Sequence, residues 1–292
     1  MRLRGMLTRH GIKNLWRTAM FIGIFAVLLA AVMFVLGIII SVVAPGAPRL
    51  PTPYPPWFIA VNELTLFLPV LGATASMAWL EDRPVTAYGL QGPGRIGLLL
   101  TGMAAGLAVL SLLLGVILLS NHAAVGGGGL TALGDLRYGV EWLVVSLFIG
   151  LTEELAFRGY LLRALERSLG FWPAAVFTCV LFAGLHGIDQ GETPVGLIGL
   201  LAAGMVFCVA VKRTGSLWWA IGFHGAWDYA ENFIYGTPDS GAFCAGALLH
   251  VRPLGAGWLS GGVTGPEGSV FSVVALALTG AAVWRAFRKT AA

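Results

Sequence analysis

Charge is what this chain has least of: Asp, Glu, Lys and Arg make up 11% of its 292 residues, against 57% hydrophobic. A soluble domain carries about a quarter of its residues charged to cover its surface. The shortage excludes a water-solvated surface for most of the molecule, and lipid is the solvent that suits what is left. Cysteine is scarce too. Cys179, Cys208 and Cys244 form neither a disulfide nor a zinc pattern and read as small packing residues. Disorder requires low hydrophobicity, so the 41 glycines point instead to helices that approach closely in a membrane. The net charge of +4 follows the membrane rather than a nucleic acid, and no nucleic-acid partner is expected.

What is present is a series of apolar runs near the roughly 20 residues a spanning helix needs. They fall at about 18–43, 57–80, 94–120, 138–165, 172–188, 194–211, 215–235 and 268–287. The first is too long for a signal-peptide core and reads as an uncleaved anchor. Prolines from Pro45 to Pro56 punctuate the first loop, Gly126 to Gly129 read as a turn, and Gly236 to Gly268 as a surface excursion. With the N-terminus inside, the inner segments hold Arg2, Arg4, Arg9, Lys13, Arg17, Arg83, Arg95, Arg163, Arg167, Lys212, Arg213, Arg285, Arg288 and Lys289. The outer ones hold Arg49, Arg137 and Arg252. That asymmetry predicts both termini in the cytoplasm. The fold class is therefore all-α, a polytopic membrane protein of about eight transmembrane helices. It divides into N-terminal helices one to three (1–137), a core of helices four to seven (138–235), and a loop with the last helix (236–292).

An ionisable side chain at bilayer depth is a functional candidate by default. The fourth run contains Glu153-Glu154-Leu-Ala-Phe157-Arg158. Glu154 and Arg158 are one turn apart and can pair, which leaves Glu153 unexplained. The fifth ends Phe182-Ala-Gly184-Leu-His186, and the seventh holds His224 and Asp228 one turn apart. Counting ~1.5 Å per residue from Arg167, Trp172 and Arg213 puts Glu153 and His186 ~21 Å deep, His224 ~16 Å and Asp228 ~22 Å. Scattered structural pairs have little reason to share a layer, so one site inside the helical bundle is the better account. Glu63, close to Pro56 and Trp57, reads as interfacial, and Glu141 as near an outer helix end.

A carboxylate, two imidazoles and a second acid supply acid–base hydrolysis. No Ser or Cys is evidently paired with a base, which disfavours a covalent nucleophile. Two sources of activated water stand side by side. Glu153 can take the proton directly, or Glu153, His186 and His224 can hold a divalent metal such as zinc, although no His-Glu-x-x-His helix is present. A proton-coupled transporter and a non-catalytic membrane scaffold are the other classes such a polar layer allows.

The order Glu153-Glu154-xxx-Arg158, Phe182-xxx-His186, His224-xxx-Asp228 resembles the CPBP (Abi) family of intramembrane proteases, which includes the CAAX prenyl endopeptidases and bacteriocin-processing or immunity proteins. Phe157-Arg158-Gly159 and Thr214-Gly215-Ser216-Leu217-Trp218 add to the likeness, which spans about residues 140–235. The resemblance implies an eight-helix, glutamate-type endopeptidase acting on membrane-associated peptides or protein tails, and the small Gly/Ala-rich loops suggest a bacterial cytoplasmic membrane. It implies that Glu153 activates water with His186, that His224 and Asp228 hold the oxyanion, and that Glu154, Arg158 and Phe182 support them. Asp228 departs from the Asn usual in eukaryotic members, and an ionised Asp cannot donate to an oxyanion. It is either protonated or orients His224.

Overall fold

The computed structural model describes residues 9–43, 46, 51–188 and 191–287, with the backbone alone for 9–14. Arg2, Arg4, Pro45, Pro48, Arg49, Arg288 and Lys289 lie outside the described residues. Apolar backbone in lipid must satisfy its own amides, so the long runs become helices. In chain order these are α1 (Arg9–Val43), α2 (Pro56–Leu80), α3 (Arg95–Leu119), α4 (Ala132–Glu154), α5 (Leu162–Leu169), α6 (Phe171–His186), α7 (Pro194–Thr214), α8 (Trp218–Tyr229), the short α9 (Gly257–Ser260) and α10 (Val270–Ala286). Among the described residues four helices are long and apolar enough to cross a membrane: α1 from Leu15, α2, α3 and α7. The apolar α6 and α10 are shorter.

In two of the expected spans the α-helix gives way to a π-helical stretch. After Glu154 the chain widens into a π-helical turn, Leu155–Leu161, in which Gly159 (φ −74°, ψ −110°) leaves helical geometry, and α5 then resumes the run. The stretch after α8 is likewise a π-helical turn, Ala230–Tyr235. Such turns change the phase of the side chains that follow and recur at functional sites. Of the glycines read as a turn, Gly126 and Gly127 are instead the end of a strand. β1 (Ala123–Gly127) pairs antiparallel with β2 (Leu249–Pro253), Val125 opposite Val251, tying the α3–α4 connection to the excursion after α8.

Glycine sets the position of α8. A Cβ on Gly222 would run into the Leu99 carbonyl of α3. On Gly225 it would lie 2.8 Å from the Ser146 carbonyl oxygen and 2.9 Å from Leu147 Cα of α4. The backbones touch because side chains are missing, the mechanism small residues serve in membranes. Gly222→Ala must push α3 and α8 apart. Its expected effect is a loss of about 1–3 kcal/mol, read as a lowered Tm in detergent, and an unchanged Tm would refute this packing.

At the other end of the bundle Glu81, just past α2, gathers four elements. It accepts from Tyr160 Oη (2.8 Å), Tyr88 Oη (3.1 Å) and both oxygens from Arg167 Nη1 (3.1 and 3.0 Å), with Arg17 Nη1 at 3.7 Å. Partial burial by itself would raise the Glu81 pKa. The hydrogen bonds from Tyr160 and Arg167, the Arg167 charge and the Tyr88 hydroxyl outweigh it and hold the carboxyl below its ordinary 4.5. A carboxyl lowered by folding contributes stability that is full above its unfolded value and is lost as pH falls through the folded one. Wild-type Tm is thus expected to drop on acidification below about 4.5, and Glu81→Gln to flatten that limb. Parallel limbs in the two proteins would remove Glu81 from the account.

Candidate active site

The site is built where α4 breaks. Glu153 and Glu154 are its last two residues, about 100° apart around the helix, so they face different neighbours. Glu154 turns into the bundle and is fully buried, as is Arg158 in the π-helical turn. Arg158 Nη1 donates to Glu154 Oε1 at 2.9 Å. The guanidinium carbon lies 4.7 Å from the Phe182 ring centroid, 5.3 Å from Phe207 and 5.7 Å from Phe157. Aromatic faces stand in for water around this cation, and its charge is committed to Glu154.

Glu154 also fixes a histidine. His224 Nδ1 lies 3.3 Å from Glu154 Oε1, and its ring stacks on Phe207 at 5.2 Å and 15°. His186 is fixed from its own helix, with Nδ1 3.0 Å from the Phe182 carbonyl oxygen. A carbonyl only accepts, so His186 Nδ1 carries the hydrogen. In both rings Nδ1 is held by an acceptor, and Nε2 is directed at Glu153. His186 Nε2 lies 3.8 Å from Glu153 Oε1 and His224 Nε2 3.6 Å from Glu153 Oε2. His224 Nε2 is also 3.8 Å from Asp228 Oδ1. Phe182, its ring 4.5 Å from that of His186, joins the cation and the histidines in one packed unit.

All seven residues singled out in the sequence therefore meet: Glu153, His186, His224 and Asp228 around a cavity, with Glu154, Arg158 and Phe182 beside them. The cavity is about 1470 Å³ and runs among α2, α4, α6, α7 and α8 and the loop after α8. It also takes in acids that sequence reasoning set aside or missed. Glu63, read as interfacial, faces the bundle. It is 8% exposed and lines the cavity, as do Asp239 and Glu267. Glu141, expected near a helix end, lies well inside α4 (Ala132–Glu154) and pairs with Arg137 at 2.7 Å. Cys179 and Cys208 are free and buried, their sulfurs 3.9 Å apart.

Nδ1 acceptors that leave two Nε2 atoms facing a carboxylate are how proteins orient histidines toward a metal. The donor types of Glu153, His186 and His224 suit a zinc ion, although their ligand atoms do not all fall within 4.8 Å of one another. The same set presents a base and two imidazoles to a water molecule.

A helical membrane protein with a buried Glu–His–His–Asp set is the class these features define. Residues 136–230 match the family model described as type II CAAX prenyl endopeptidase Rce1-like. All three motifs fall inside the match, so the resemblance read from them is borne out and this segment is CAAX protease-like. No curated protein matches the chain.

Proposed function

We propose that this protein is an intramembrane endopeptidase that hydrolyses peptide bonds in membrane-associated peptides or protein tails, with Glu153 as general base. The observation that carries the proposal is the placing of the Glu153 carboxylate between His186 Nε2 and His224 Nε2, 3.8 and 3.6 Å away, inside a mainly apolar bundle. Glu153 takes a proton from a water molecule as that oxygen bonds to the scissile carbonyl carbon. His186, with Nδ1 on a carbonyl, offers the lone pair of Nε2 to the same water. His224, protonated between Glu154 and Asp228, donates from Nε2 to the oxyanion. Asp228 acts through His224, because a carboxylate beside an imidazolium orients and stabilises it. The C–N bond then breaks, and the proton on Glu153 passes to the leaving amine. Zinc held by Glu153, His186 and His224 would supply a bound water acidified to near neutral pH.

The eight apolar segments all span, α4 with α5 and α8 with its π-helical turn each counting as one interrupted span. Both termini face the cytoplasm, the membrane is the bacterial cytoplasmic one, and 138–235 is the catalytic core. The substrate enters from lipid, since the cavity walls are mostly apolar. A prenylated C-terminal tail is the first substrate to try, given the family match. Purified protein in liposomes should release a C-terminal fragment from a farnesylated peptide, detected by mass spectrometry. Solute uptake driven by a pH gradient, with no fragment from farnesylated or plain hydrophobic peptides, would replace this reading with a transporter.

A further inference from the structure

Beyond the Glu–His–His set, the wall of the cavity carries a second group of ligand atoms. Asp228 and Glu231 lie three residues apart across the end of α8 and its π-helical turn, and Asp239 comes from the loop that follows. One carboxylate oxygen from each falls within 4.8 Å of the others. Glu231 is fully enclosed, Asp228 is 4% exposed, and Asp239 opens on the cavity. Three carboxylates this close, out of water, repel strongly and call for a cation or protons. Among the described residues no Lys or Arg pairs with them. Among the described residues their ion pair is with His224, 3.8 Å from Asp228 Oδ1.

A second observation is independent of the acids. Asn232 is 1% exposed and donates from Nδ2 to Asp239 Oδ2 at 2.6 Å, which holds its amide at the cluster, yet its Oδ1 meets no donor. Asp228 Oδ2 and both oxygens of Glu231 are equally without a hydrogen bond. The Trp227 side chain lies close to Glu231 without reaching hydrogen-bond geometry. Protons held by the carboxylates would turn them into donors to one another or to the amide oxygen, so protons and a cation are the two alternatives that calcium titration separates. A cation among the three carboxylates answers their free oxygens at one point, and the buried Asn232 amide held on Asp239 offers it a further oxygen.

We propose that Asp228, Glu231, Asp239 and the Asn232 amide oxygen form a calcium-binding site in the cavity wall, separate from the zinc-type donors Glu153, His186 and His224. Oxygen-only donors, three of them anionic, suit a hard divalent cation, and irregular spacing suits calcium better than the octahedral demands of magnesium. The ligands come from α8, from the π-helical turn and from the loop. That loop is anchored in turn where Ser240 N and Oγ donate to Glu267 Oε1 at 2.6 and 2.7 Å. Calcium would therefore lock the loop onto the end of the helix that carries His224, making the cavity wall rigid.

The test is calcium binding by full-length protein in detergent after treatment with EGTA, followed by titration calorimetry and by Tm. Wild type should bind calcium saturably and melt several degrees higher with it. Glu153→Gln and His186→Ala should respond alike, because their donors belong to the other set. Asp239→Asn and Glu231→Gln should each lose most of the shift and the binding heat. Asp239 is on a loop and partly open, so its variant serves if Glu231→Gln does not fold. No calcium response in wild type, or a full response in Asp239→Asn, would overturn the proposal.

Discussion

Glu153→Gln is expected to lower the rate of peptide cleavage by about 10²–10⁴-fold, the range a positioned general base supplies, while leaving the fold intact. Glutamine keeps the shape of the side chain and can occupy the same space between His186 and His224. It cannot take a proton from water. The side chain is 16% exposed and faces the cavity, so little packing changes, and removing one acid from a crowded set should not lower Tm. Glu154→Gln, one residue away, makes the contrast. It keeps the base but weakens the acceptor on His224 Nδ1, so its rate should fall less than that of Glu153→Gln while its Tm falls more. Single-turnover cleavage and Tm measured on the two variants separate the roles. A folded Glu153→Gln protein cleaving within about tenfold of wild type would remove it as the base.

Arg158→Ala is expected to be the most damaging substitution for stability, by about 3–5 kcal/mol, the range for a buried pair broken from one side. The variant leaves Glu154 fully enclosed without its main counter-charge and empties a space walled by Phe157, Phe182 and Phe207. Arg158→Lys should recover only part of the loss, because an ammonium lacks the planar face that stacks on those rings. Removing both charges with Glu154→Gln and Arg158→Met should melt above Arg158→Ala, since no ion is then left unpaired. Denaturation in detergent reads all three. A Tm for Arg158→Ala equal to that of wild type would mean that the pair is incidental to the fold.

The shared depth of Glu153, His186, His224 and Asp228 was legible because an α-helical rise converts sequence distance into depth whatever the packing. The pairing of Glu154 with Arg158 was legible for a similar local reason, four residues on one helix. What escaped depends on elements far apart in the chain. Glu63 sits a few residues into α2 and looked interfacial, yet the cavity reaches it because α2 lines the same space as α4. Glu231 was missed because the seventh run reads as uniform helix, and Asp239 because the excursion that holds it, read as surface, folds back onto the cavity. A π-helical turn at Ala230–Tyr235 rephases the side chains of that run, and no composition rule marks such a turn. The pair Asp228 and Glu231, three residues apart in an apolar run, was the signal that could have been followed. The break at Leu155–Leu161 was hidden for the same reason, although Gly159 among bulky neighbours is consistent with it. Gly126 and Gly127 pair with β2, a partner more than a hundred residues away that turn chemistry cannot see.

The central claim is that Glu153 activates water instead of attacking the peptide itself, and the source of the new oxygen decides it. Wild-type protein in molar excess over a farnesylated peptide, mixed in ¹⁸O-water and quenched within one turnover, yields a fragment whose new carboxylate can be weighed. Water activation predicts one ¹⁸O in that carboxylate from the first turnover. An unlabelled carboxylate, its oxygen donated by the protein, would contradict the account.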